Sequence, residues 1–78
     1  MVVPNPFNTS AQIILGSASD LKSTEIIIYN TMGKMVKRIS SISDYSITLD
    51  KGNMAAGIYM LYVTDAVNEP SLKRIVVE

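Results

Sequence analysis

Cysteine and histidine are both missing from the sequence, and so is any formal net charge. Without cysteine there is no disulfide framework, no thiolate metal site and no thiol nucleophile, and the redox compartment cannot be read from cysteine usage. Stability must come from packing and backbone pairing. Without histidine the chain lacks the commonest general base and the commonest transition-metal ligand. Seven Lys or Arg balance seven Asp or Glu, so no long-range field draws the domain toward nucleic acid or an anionic membrane surface. The start, Met1-Val2-Val3-Pro4, has no basic n-region or long apolar h-region, and no stretch approaches the length of a transmembrane segment.

Catalysis would therefore have to rest on carboxylates. Asp20, Glu25, Asp44, Asp50, Asp65, Glu69 and Glu78 are spread one per turn or strand end, where solvated acids form turns. No run of alternating acidic ligands suggests a calcium loop. The glycines Gly16, Gly33, Gly52 and Gly57 are isolated, so no phosphate-cradling loop precedes a helix. Tyr29, Tyr45, Tyr59 and Tyr62 stand in apolar runs, which suits core or sheet-face roles better than base or sugar stacking. No catalytic, metal or cofactor-binding residue emerges, and the chain reads as a non-enzyme.

What is present is strand patterning. Of the 78 residues, 47% are hydrophobic and 18% charged, a balance that excludes a solvating disordered tail and leaves room for one small domain of modest stability. Apolar residues recur with period two, and Gly, Pro, Asn and Asp punctuate the runs. The runs predict strands at residues 10–16, 24–30, 34–40, 45–49, 58–64 and 71–77, with a short one at Val2-Val3. Tyr45, Ile47 and Leu49 alternate with Ser46, Thr48 and Asp50, as in a strand wet on one face. The runs at Ile26 and Ile58 are apolar on both faces, which marks them as a central pair or as strands covered on the outside. Gly33 is expected to take positive φ and close a bulged hairpin, while Met54-Ala55-Ala56 suggests one helical turn. No helix-period segment, internal repeat or linker competes. The expected fold is all-β, a small antiparallel immunoglobulin-like β-sandwich of six or seven strands, with Ile28, Tyr59, Leu61 and Val76 among its least accessible side chains.

Four segments carry more information in combination. They are Val3-Pro4-Asn5-Pro6-Phe7-Asn8, then Ile26 through Val36 with its Tyr29-Asn30-Thr31-Met32-Gly33-Lys34 turn, then Ala56-Gly57-Ile58-Tyr59, and finally Leu72-Lys73-Arg74-Ile75-Val76-Val77-Glu78. In this order they resemble the type A C-terminal sorting domain of the type IX secretion system: an opening PNP(F/A), an IYDxxGK-like turn, an (A)GxY strand and a terminal K-(K/R)-hydrophobic strand. Asn30 stands where Asp is common. The resemblance implies a secretion signal without catalysis or cofactor, joined to an N-terminal passenger and engaged by an outer-membrane translocon. A sortase-like peptidase then removes it, and the route leads through the periplasm to the cell surface. A protein working outside the cell is expected to be longer than these residues, with this domain as its C-terminal part.

Each motif also has a physical reading. Pro4 and Pro6 fix φ and hold Val3 and Asn5 extended, a stiff entry that serves either as a rigid start or as a recognition feature. Gly33 and Gly57 supply backbone freedom, and Tyr59 is expected in the core. The terminal strand, with Ile75, Val76 and Val77, could lie at a sheet edge and be extended by a partner strand, with Lys73 and Arg74 discouraging casual pairing. The competing function is that of an immunoglobulin-like or fibronectin-like spacer module in a multidomain extracellular protein, which the fold alone does not separate from a sorting signal.

Overall fold

The computed structural model describes residues 1–16 and 20–78. Among the described residues seven strands run in chain order: β1 (Val2–Val3), β2 (Ser10–Ile14), β3 (Glu25–Asn30), β4 (Met35–Ile39), β5 (Ser46–Asp50), β6 (Gly57–Thr64) and β7 (Ser71–Val77). They form a three-stranded sheet of order β1-β2-β5 and a four-stranded sheet of order β4-β3-β6-β7, with all strand pairs antiparallel. The cross-chain neighbours β2–β5 and β3–β6 correspond to the B–E and C–F pairs of an immunoglobulin-like sandwich, the fold class that the strand pattern predicts.

Alternation builds the core. Ala11 and Ile13 of β2 and Leu49 of β5 face Ile26 and Ile28 of β3, Tyr59 and Leu61 of β6, and Ile75 and Val77 of β7, with Phe7, Leu15 and Ile42 closing the cluster. The runs expected at the centre, β3 and β6, are the two central strands of the larger sheet, in register from Glu25 with Thr64 to Asn30 with Tyr59. In β5, Leu49 is buried and Ile47 half-buried while Ser46, Thr48 and Asp50 are exposed, as the pattern requires. Tyr45 departs from it: it precedes the strand, is 42% exposed, and contributes its carbonyl to the Leu15 N–H at 2.7 Å.

Two other expectations need correction. Val76 is not in the core. The register of β7 pairs Ile75 with Tyr59 and Val77 with Gly57, so Ile75 and Val77 turn inward and Val76 turns outward, half-buried. Met54-Ala55-Ala56 does not form a helical turn. The hydrogen-bonded turn lies earlier, with the Met54 N–H donating to the Lys51 carbonyl at 2.9 Å, and the Ala55 carbonyl is occupied by the Tyr59 hydroxyl at 2.7 Å. A tyrosine near the start of the sixth strand that ties its hydroxyl to backbone a few residues upstream is the tyrosine corner of immunoglobulin-like folds.

The β3–β4 hairpin forms as expected. Gly33 sits at φ 82°, and an extra residue, Val36, bulges between the pairs Tyr29–Met35 and Ile28–Lys37. Asn30 Oδ1 accepts the N–H groups of Met32 and Lys34, each at 2.9 Å. Only an acceptor oxygen is used in the turn, which is why Asn serves where Asp is common.

Candidate recognition site

The chain changes sheets within its first residues. Val2 and Val3 pair with Ile13 and Gln12 in the smaller sheet, whereas Phe7 forms a parallel bridge with Val77 at the outer edge of β7 in the larger one. Pro4-Asn5-Pro6 makes the crossing, with both X–Pro peptide bonds cis. Phe7 is 1% exposed, and its ring is one of the largest side chains of the core. Its N–H donates to the Val76 carbonyl at 3.1 Å and its carbonyl accepts the Glu78 N–H at 2.8 Å.

Asn5 completes the seam with its side chain. The Asn5 amide donates from Nδ2 to the Arg74 carbonyl at 3.0 Å, and its Oδ1 accepts the Val76 N–H at 3.0 Å. A side-chain amide carries one donor and one acceptor in the same order as a peptide group, so Asn5 takes the place of a neighbouring strand. In an antiparallel pair, alternate residues turn their backbone groups away from the partner strand. On β7 these are Leu72, Arg74 and Val76. The clasp takes the Arg74 carbonyl and both groups of Val76, and leaves outward the Arg74 N–H and both backbone groups of Leu72. Lys51 Nζ adds a bond to the Glu78 carbonyl at 2.9 Å, tying the C-terminal end of the edge to the β5–β6 connection.

Of the residues singled out in the sequence, Pro4, Asn5, Pro6, Arg74, Ile75, Val76 and Val77 thus come together along one edge. Lys73 and Arg74, read above as a pair, point to opposite faces. Lys73 lies opposite Leu61 on the inner side, at the mouth of a cavity of about 160 Å³ that it lines with Met1, Val63 and Asp65. Arg74 lies opposite Met60 on the outer side. Gly33 lies away from this edge in the β3–β4 turn, whereas Gly57 lies beside Val77 on β6, one strand in from it. At φ 152°, Gly57 enters β6 in a conformation side chains rarely adopt. Tyr59 is 7% exposed and is spent on the corner bond and the core. Phe7, part of the opening motif, is a site residue that the strand pattern does not mark. Its signal was a lone aromatic directly after Pro6, where a strand-start ring can be a core anchor.

Among the described residues no group of His, Cys, Asp and Glu could hold a metal ion, and no helix is long and apolar enough to cross a membrane. The bonds of the seam join backbone and amide groups, with Lys51 Nζ as the charged donor at its C-terminal end. The arrangement closes one strand edge and presents the remainder.

The family model described as the secretion system C-terminal sorting domain matches residues 1–78. The chain belongs to this family. A search of curated proteins found no match. The sorting domain is a type IX secretion signal, which implies a secretion machinery, an attached passenger and export to the surface or the medium. The family is not known as catalytic. The opening PNP motif and the terminal strand of this sorting domain, at opposite ends of the sequence, are two sides of one seam.

Proposed function

We propose that the domain is the transport address of a longer protein, and that the translocon reads it at the edge formed jointly by Pro4-Asn5-Pro6-Phe7 and β7. The passenger precedes Met1, crosses the inner membrane by its own export signal, and follows the folded domain to the outer membrane. A sortase-like peptidase then separates the two at the linker side. The observation that carries this reading is the clasp: the two motifs of the family pattern farthest apart in sequence are joined by Asn5 and Phe7 into a single surface. The clasp leaves room for strand addition by a receptor only at the N-terminal half of β7 around Leu72, since Asn5 and Phe7 occupy the rest.

The test is export. The chain, fused behind a reporter with a periplasmic export signal, is expected to carry the reporter to the surface or medium only in cells with a working type IX system. Equal export from translocon-deficient cells rejects the proposal and favours the spacer-module reading. Lys73→Ala and Arg74→Ala are then compared singly, because the two side chains face different sides. A loss of export with unchanged melting assigns recognition to the side concerned.

A further inference from the structure

The two outer faces of the sandwich differ in kind. On the smaller sheet, the outward positions include Gln12, Ser46 and Thr48, joined by hydrogen bonds from Gln12 Nε2 to Thr48 Oγ1 at 2.9 Å and from Ser46 Oγ to Gln12 Oε1 at 3.0 Å. On the larger sheet the register sets out two apolar rows. Arg38, Ile27, Tyr62 and Leu72 lie side by side in one row, and Met35, Tyr29, Met60 and Arg74 in the next, with Ile58 beside Val76 beyond them. Leu72 is 57% exposed, Met35 51% and Ile58 44%. No described residue covers these rows. Tyrosine, methionine and arginine on an apolar ground, with lysine and acids absent from the centre, is the composition of a protein-binding surface rather than of a solvated sheet face.

We infer that the outer face of the four-stranded sheet docks a component of the export machinery that presents a flat apolar surface with a carboxylate opposite Arg74. The inference rests on the sorting reading and adds a docking face to the edge proposed above. Charge and area select the occupant. Arg38 on this face is paired with Glu25 at 2.6 Å, whereas Arg74 makes no ion pair among the described residues. Two copies stacked through this face would therefore bring like charges together, while an acidic partner would neutralise one. Four strands about 4.8 Å apart and five residues at about 3.4 Å give a footprint of roughly 300 Å². Even doubled for side-chain relief, this falls short of the ~800 Å² per partner of a stable complex. Such a face suits a transient handover and not a permanent dimer.

The experiment uses the full chain behind the exported reporter. Ile58→Ser, Leu72→Ser and Arg74→Glu are combined in one variant, and Ile14→Ser with Thr48→Ala on the opposite sheet serves as the matched control. The face variant is expected to lose about tenfold or more of its surface display, with melting within about 3 °C of the parent because the sites are exposed; the control keeps its display. Should the triple variant unfold, Leu72→Ser alone, the more exposed of the two apolar changes, replaces it and is expected to lower display several-fold. A photo-crosslinker at Met60 is expected to trap a translocon component, and one at Thr48 not to. Equal display by face variant and parent overturns the inference, as does equal loss in the control. A Met60 adduct between two copies of this chain, or binding of the purified chain to phosphatidylglycerol vesicles that the face variant abolishes, assigns the face to another occupant and overturns it too. If the parent fusion itself is not displayed, it is the sorting reading that fails.

Discussion

Asn5 offers the most direct handle on the clasp. Asn5→Ala removes the donor to the Arg74 carbonyl and the acceptor for the Val76 N–H, both at the surface. Water can replace part of each bond, so about 0.5–1 kcal/mol apiece and about 1–2 kcal/mol together is expected. A chain of 78 residues has a total stability of about 4–12 kcal/mol, and the loss translates into a fall in Tm of roughly 5–15 °C. Urea or thermal denaturation followed by circular dichroism measures this. Amide hydrogen exchange localises it. The Ile75 N–H faces β6 and is expected to exchange slowly in both proteins, and the Arg74 N–H, turned outward without a partner among the described residues, quickly in both. Only the Val76 N–H, held by Asn5, changes from protected to exposed. Asn8→Ala, which removes no bond across the seam, is expected to stay within about 0.5 kcal/mol of the parent. If Val76 exchanges as fast in the parent as Arg74, or if Asn5→Ala melts with the parent, Asn5 does not act as a surrogate strand and the reasoning fails.

Three further outcomes are expected. Phe7→Ala empties a site only 1% exposed and is expected to cost about 3–5 kcal/mol, enough to unfold much of the population at 37 °C, while Phe7→Leu is far milder; a melting curve like the parent's would refute the anchoring role. Tyr59→Phe deletes the corner bond to Ala55 and is expected to lower the stability by about 1 kcal/mol, seen as a lower urea midpoint with the slope unchanged, a changed slope contradicting a purely local effect. The Asp65 carboxylate is held below its usual 3.8 by the Asn68 backbone N–H, the Asn68 side chain, and the Val67 and Asp20 N–H groups. Its folded value being depressed, the stability it contributes is present above the usual value and lost as pH falls through the folded one; Asp65→Ala is therefore expected to flatten the acid limb of Tm against pH below about 4, and an unchanged limb would discount the turn.

What the sequence by itself determined was local. Period-two patterning located every strand of the larger sheet to within about two residues, and the unbroken apolar runs at Ile26 and Ile58 identified the central pair, because a strand flanked on both sides has few wet positions. Asn30 and Gly33 specified the β3–β4 turn, since an Asx acceptor and a residue free to take positive φ are needed within a few bonds of each other. Tertiary structure alone decided the rest. In the terminal strand Ile75, Val76 and Val77 are apolar without alternation, so only pairing with β6 could settle that Val76 faces out and Ile75 in, and that Lys73 and Arg74 part company. The same pairing decided which backbone groups of β7 turn outward, and hence that Asn5, 69 residues from Arg74 in the chain, meets them. Such contacts depend on the register of every intervening strand, and a shift of one residue exchanges the faces of the sheet and removes the partners Asn5 requires.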